Sequence, residues 1–215
     1  IGSLEKLIAK KRDIKTATMQ QLLTGKKRLP GFQGHWVNSQ LGEIGLFRKG
    51  KGIRKDDVLD SGLPCVRYGE IYTRHHDYIK KFYSFISPAV ASEATSINSG
   101  DLLFAGSGET SEEIGKCVAY LSDEQAFAGG DIVIYRAPSQ DAKYLGFLMN
   151  HESVVVQKMQ MGQGDAVVHI HAKNLAGIEV CLPSIDEQKA ISGLLSDMDF
   201  EIGELEKRLT KTNSI

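Results

Sequence analysis

Near the end of the chain the apolar residues fall into two rows. Ile191, Met198 and Leu205 form one row at a spacing of seven, and Leu195, Ile202 and Leu209 form the other, four residues further on in each case. This alternation of d and a positions is the seam of a coiled coil, so it predicts a helix with a partner helix along its edge. Ser184-x-x-Glu187 reads as a capping box opening that helix after Leu182-Pro183. Gly193 and Gly203 inside it cost about 1 kcal/mol each relative to Ala, and either permit close helix approach or simply weaken the helix. A weaker stripe, Leu4, Leu7, Ile8, Ile14 and Leu22, marks a first helix, with Lys11, Lys15 and Thr18 diluting it. This helix stops at Gly25, where Lys26, Lys27 and Arg28 stand beside the negative helix end and Pro30-Gly31 prevents continuation. The pairing positions read from these stripes are Leu4, Leu7 and Ile14 on the first helix and the six residues of the two rows on the last.

Between the helices the pattern changes to short apolar segments bounded by Gly, Pro, Asp and Ser, which predicts a β-rich domain. Candidate strands are 44–48, 63–67, 102–105, 118–121, 132–136 and 178–181. Tyr144 to Lys158 reads as one helix, because Leu145, Leu148, Met149 and Val156 share a face. The predicted class is α+β: a globular domain over 29–183, flanked by helices over 1–28 and 184–215 that pair as an antiparallel coiled coil.

The two ends also resemble each other. With an offset of 201, seven of fourteen positions are identical: Ile1/Ile202, Gly2/Gly203, Leu4/Leu205, Glu5/Glu206, Lys6/Lys207, Lys10/Lys211 and Ile14/Ile215. The chain is expected to be one period of a repeat cut inside a helix, and the missing initiator Met agrees with a cut chain. Charge divides the same way, with eight Lys/Arg against two acids over 1–28 and seven acids against one Lys over 186–206. Opposite charge favours pairing of the two helices, within one chain or across two.

Composition removes several function classes. No apolar run reaches a membrane span, and the first 25 residues are charged where a signal peptide would be apolar. Cys65, Cys117 and Cys181 are far apart and in no Cys-x-x-Cys pattern, which points to reduced thiols in the cytoplasm rather than a disulfide framework or zinc knuckle. Gly50-Lys51-Gly52 and Gly106-Ser107-Gly108 are too short for a dinucleotide fingerprint, and no phosphate-loop motif or nucleophile elbow occurs. His169 and His171 would share a strand face, but two His without a third ligand are weak evidence for a metal, and none is expected.

The segment Leu46 to Lys81 differs from the rest, since nine Lys/Arg outnumber five acids and Tyr68, Tyr72, Tyr78 and Tyr83 lie among or just beyond them. Cations anchor phosphates while Arg, Tyr, Glu and Ser can read base edges, so this composition suits a DNA-reading surface. Two polar loops, Ala105 to Thr110 and Met161 to Asp165, interrupt apolar patterns, and their glycines let the backbone approach a ligand.

Several strings taken together resemble type I restriction-modification specificity subunits over nearly the whole chain. They are Met19-Gln20-Gln21-Leu22-Leu23-Thr24-Gly25-Lys26 with Arg28-Leu29, Arg67-Tyr68-Gly69-Glu70-Ile71-Tyr72, Gly100-Asp101-Leu102-Leu103-Phe104, the 106–110 loop, and Leu182-Pro183-Ser184-Ile185-Asp186-Glu187-Gln188-Lys189-Ala190-Ile191. The resemblance implies a DNA target-recognition domain joined to a conserved helix, with no catalytic centre of its own. Family members hold two such domains apart on antiparallel helices and so address a bipartite site in double-stranded DNA. Methylation subunits dock on that scaffold and restriction subunits join through them; S-adenosylmethionine, ATP and Mg belong to those partners. This chain departs from the pattern in having one recognition domain, so it is expected either to be half of a longer subunit or to form a homodimer. Under this reading Lys49, Lys51, Arg54 and Lys55 contact phosphates. Arg67, Tyr68, Glu70, Tyr72, Arg74, Ser107, Glu109, Thr110, Gln163 and His169 read bases or shape the reading loops. The rival reading is a coiled-coil interaction or decoy protein that binds the methylation subunit without reading DNA.

Overall fold

The structure, a computed structural model, describes residues 2–164 and 167–213. Ile1, Asp165 and Ile215, which the end repeat and the second polar loop include, lie outside the described residues. In chain order the first elements are α1 (Gly2–Leu22), β1 (Val37–Gln40), α2 (Leu41–Ile44), β2 (Leu46–Lys49), β3 (Leu63–Val66), α3 (Tyr68–Thr73), β4 (Ser84–Ile86), α4 (Pro88–Ala91) and β5 (Thr95–Ile97). There follow β6 (Asp101–Ala105), β7 (Ser107–Gly108), β8 (Cys117–Ala119), β9 (Ala126–Ala128), β10 (Ile132–Arg136), α5 (Ala142–Met149), α6 (Glu152–Met161), β11 (Val168–His169), α7 (Ala172–Ala176), β12 (Glu179–Leu182) and α8 (Ile185–Asn213). The chain divides into two compact units, Ile1–Trp36 with Pro183–Ile215, and Val37–Leu182.

In the helical unit, α1 and α8 run antiparallel, as the salt bridges show: Lys11 to Glu201 at 2.7 Å, Lys15 to Asp199 at 2.7 Å and Arg12 to Glu206 at 2.6 Å. The predicted rows of α8 lie in the seam, with Ile191, Leu195 and Ile202 buried and Met198, Leu205 and Leu209 partly so. Across from them stand Leu4, Ile8, Lys11, Lys15, Thr18 and Leu22, all at least half-buried. Leu7 and Ile14, expected on this face, are 40% and 42% exposed. A four-three spacing from Leu4 selects Ile8, Lys11 and Lys15, and the lysines fit because their ammonium groups meet acids of α8. Among the described residues a Cβ added to Gly193 or Gly203 would meet nothing within 4 Å, so neither glycine serves close approach there.

The junction of the helices is tied by charge. Gly25, at φ 68, ends α1 in the left-handed conformation, and the Lys27 N–H reaches the Gln21 carbonyl at 3.1 Å. Arg28 then meets the fully buried Glu187 carboxylate through both Nε and Nη2, the latter at 2.6 Å. The same guanidinium lies 5.7 Å from the Trp36 ring centre and donates to the Gly34 carbonyl at 3.0 Å. The expected capping box is therefore half made. Ser184 Oγ accepts from the Glu187 N–H at 3.4 Å, but the Glu187 side chain turns to Arg28 instead of back to the helix start. Residues 29–36, expected in the globular domain, belong with the helices for the same reason.

The second unit is built on two four-stranded sheets, β2-β10-β6-β8 and β4-β3-β9-β5, with small pairs β1-β12 and β7-β11. The first is antiparallel throughout, while β3 and β9 run parallel in the second. The central strands Leu102-Leu103-Phe104-Ala105 and Ile132-Val133-Ile134-Tyr135 are buried on both faces, which is why they read as unbroken apolar runs. One core packs Leu103, Val118, Ile132 and Ile134 against Val66 and Ile71, and a second joins Cys65, Ile86, Ala91 and Phe127. The predicted 144–158 helix is two helices, because Asn150 ends α5 and the His151 side chain caps α6 by accepting from the Ser153 N–H at 3.2 Å. Residues 41–44, partly assigned to a strand, form the short helix α2.

Candidate nucleic-acid interface

The central sheet positions a polar cleft. At the end of β6 the chain passes through Gly106, whose N–H donates to the Asp131 carbonyl at 2.7 Å; a Cβ there would lie 2.9 Å from that oxygen, so the crossing needs glycine. Asp131 sits at φ 59 on the opposite hairpin. Beyond Gly106, Ser107 and Gly108 pair with His169 and Val168, and Gln163 and His169 exchange backbone hydrogen bonds at 2.8 and 2.9 Å. The two polar loops singled out in the sequence are thus stitched together. Ser107, 4% exposed, meets His169 Nδ1 through its hydroxyl at 2.9 Å. His171 lies parallel to His169, with ring centres 6.5 Å apart and planes 3° apart.

This cleft, of about 340 Å³, is walled by Lys49 on the edge strand β2, by Ser107 and Asp131, and by His169, His171 and Lys173. Arg48 also lines it, but its charge is compensated by Asp101 at 3.0 Å, a fully buried carboxylate that Arg136 meets at 2.8 Å. Exposed imidazole and ammonium groups converging on one concave surface, with the buried Ser107 hydroxyl behind His169, can donate to and accept from base edges while holding phosphates. Among the described residues no three His, Cys, Asp or Glu converge in a way that would hold a metal ion.

The other candidate residues sort by what occupies their polar atoms. Tyr72 on α3 donates its hydroxyl to the Ser107 carbonyl at 3.0 Å, and burial raises its pKa, so it remains a protonated strut under the loop. Lys116 braces the same helix by donating to the Tyr72 carbonyl at 3.1 Å, with its pKa lowered by burial. The Glu70 carboxylate accepts from Ser84 Oγ at 2.6 Å and from the Arg67 N–H at 3.0 Å, so it caps α3. Arg67 is half-buried; Tyr68 is 41% exposed beside it, and Arg74 lies 5.4 Å from the Tyr83 ring centre. Glu109, Thr110 and Gln163 are exposed on the paired loops. Lys51, Arg54 and Lys55 are exposed after β2 and do not line the cleft; Arg54 opens a single 3-10 turn whose Asp57 carboxylate accepts its backbone N–H at 2.7 Å.

Two contributors were missed in the sequence. Lys173 follows the His-x-His pattern by two residues, and that pattern was its only signal. Lys158 is 1% exposed and donates to the Gly115 carbonyl at 2.7 Å, holding the far end of the 106–116 loop. Burial lowers its pKa to about 8. A lysine in a helical stripe gives no sign of being buried.

Comparisons with known proteins give the arrangement its context. The family described as "Type I restriction modification DNA specificity domain" matches residues 33–213. No curated protein matches the chain. A chain from the structure reported for complex assembly and conformational transition of a type I R-M system is 18% identical with a TM-score of 0.62, over 99% of this chain and 52% of the other. The HsdS subunit from Thermoanaerobacter tengcongensis is 17% identical with a TM-score of 0.59, over 96% and 51%. The S subunit of the type I restriction-modification system from M. genitalium is 15% identical with a TM-score of 0.68, over 99% and 54%. At these identities the likeness is one of fold, and this chain spans about half the length of each. The family match takes in both the sheet domain with its cleft and the whole of α8, so the chain belongs to the type I restriction modification DNA specificity domain family.

Proposed function

We propose that this chain is a non-catalytic unit that recognises a DNA sequence for a type I restriction-modification system. It acts in the cytoplasm by positioning methylation subunits, and through them restriction subunits, on a bipartite site. The observation that carries this reading is the family match across residues 33–213, which spans the polar cleft of Ser107, His169, Lys49 and Lys173. The test is N6-methyladenine mapping across the genome of a methylation-free host that co-expresses this chain with a methylation subunit. A two-part motif supports the reading. Absence of methylation from a stable, intact complex overturns it in favour of a binding or decoy role.

We further propose that two copies pair through their helical units. The in-chain seam leaves Leu7, Ile14, Leu194 and Phe200 outside it, 40%, 42%, 38% and 70% exposed. Exposed apolar side chains on a charged helix pair favour a further helical partner. Two like half-sites in inverted order would follow from such a pair, and light scattering at about ten micromolar reads the mass directly.

A further inference from the structure

Downstream of α3, two tyrosines each hold two cations. Tyr78 has Lys80 Nζ at 5.2 Å and Lys143 Nζ at 5.8 Å from its ring centre. Tyr83 has the Arg74 guanidinium at 5.4 Å and Lys81 Nζ at 4.7 Å. Lys143 comes from α5 and the other three from the 74–83 segment, so the grouping is made by the fold. Tyr78 is fixed edge-on to the buried Phe147 at 6.0 Å, and its backbone bridges to Ala119 at the sheet edge. Tyr83 is likewise edge-on to the buried His75 at 5.6 Å. The rings are therefore anchored, and each presents a pair of positive charges.

Among the described residues none of these four cations makes an ion pair, although the chain as a whole is slightly acidic. The acids nearest in sequence face other groups: Glu70 accepts from Ser84 and Arg67, Asp77 from Asn150 Nδ2 at 3.1 Å, and Asp141 from the Tyr144 N–H at 2.7 Å. Like charges gathered on aromatic faces repel one another, and an anion shared between them relieves that repulsion. At one end of the grouping Arg74 lies two residues beyond Tyr72, whose hydroxyl touches Ser107, while Tyr78 lies against Ala119 of β8, the sheet edge opposite the β2 wall of the cleft.

From this arrangement we infer that Tyr78 and Tyr83, with Arg74, Lys80, Lys81 and Lys143, form a ridge that binds the phosphates of duplex DNA outside the cleft. The ridge deepens the DNA-recognition reading and rests on it. It contributes affinity without choosing sequence, because phosphates are the same at every site.

The experiment compares the complete methyltransferase complex carrying this chain with its K80Q/K143Q and K80R/K143R variants. Fluorescence anisotropy is measured with a duplex bearing the mapped motif and with an unrelated duplex, across a salt series. For K80Q/K143Q the expected result is an equal fold-loss of affinity for both duplexes and a log–log salt slope shallower by about 0.9 per lost phosphate contact. K80R/K143R should retain the wild-type slope. An unchanged slope in an assembled K80Q/K143Q complex overturns the ridge. So does loss of assembly, which would mark the patch as a protein-docking surface. A wild-type complex that binds both duplexes equally defeats the recognition reading instead, and a slope change in the same data would leave the ridge standing.

Discussion

Arg28 and Glu187, 159 positions apart, meet through two guanidinium nitrogens, Nε and Nη2, and both carboxylate oxygens. Fork-to-fork geometry is the strongest form of side-chain ion pair, and here the carboxylate has no solvent access. Removing the Arg strands that charge. Arg28→Ala should destabilise the helical unit, whereas Arg28→Ala with Glu187→Leu should recover much of the loss. Denaturant melts of the two variants decide it; equal stability of single and double variants would show that the pair is incidental.

Lys158 makes stability depend on pH in an uncommon direction. Its folded pKa is about 8, against 10.5 for a free lysine side chain. Between those values the unfolded chain holds a proton that the folded chain has shed, so stability from this group rises with pH, approaching about 1.4 kcal/mol per pH unit in mid-window. Cys65, pushed up to about 12 by burial, and Cys117, raised the same way, act oppositely above pH 9. Comparing wild type with Lys158→Met cancels Cys65, and carrying Cys117→Ala in both proteins removes the thiol that shares the field of Lys158. The stability difference should be flat below pH 8 and then shift in favour of wild type as pH climbs; parallel profiles would contradict the buried charge.

Within the cleft, side chains of different chemistry should fail differently. Ser107→Ala and His169→Ala should relax the choice of site, by about 1–3 kcal/mol where a base contact is lost. Lys49→Ala and Lys173→Ala should weaken binding to every duplex and flatten its salt dependence. Tyr72→Phe, by contrast, removes a hydroxyl bonded to the Ser107 carbonyl and should appear first as about 1 kcal/mol of lost stability. Competition between target and unrelated duplexes, run beside thermal melts, separates the three classes.

The glycines of α8 offer a clean probe of assembly. Because a Cβ at Gly193 or Gly203 meets none of the described residues within 4 Å, Gly203→Ala should raise helix stability by about 1 kcal/mol. If two copies pair closely along that face, the same change should lower the mass seen by light scattering, as should Phe200→Glu. A stabilised variant with unaltered mass in both cases would argue against pairing there.

What could be read from the sequence follows from what each residue's neighbours are. The α8 rows were legible because Ile191, Met198 and Leu205, and likewise Leu195, Ile202 and Leu209, repeat at seven on one helix. The α1 seam was not, since Lys11 and Lys15 look like solvent-facing residues until Glu201 and Asp199 are placed opposite them. The buried runs of β6 and β10 announced themselves, while Ser84-Phe85-Ile86 and Ala126-Phe127-Ala128 are too short and mixed to show a period. In the cleft, composition pointed to Ser107 and His169 separately. Only the crossing at Gly106 and the β7-β11 pairing bring them to 2.9 Å across 62 residues. Glu70 and Tyr72 were flagged by the same polarity, yet their side-chain oxygens are occupied within the domain.

Val37 and Leu182, the first and last residues of the sheet unit, are paired neighbours in β1 and β12. The unit thus enters and leaves through one narrow doorway, closed by its own backbone hydrogen bonds. Such a body can be exchanged whole. Crossovers falling in the codons for these two short strands would replace every residue of the cleft while leaving the Arg28–Glu187 clasp and the coil untouched. Recombination at two points would therefore exchange the whole cleft at once, instead of one side chain at a time.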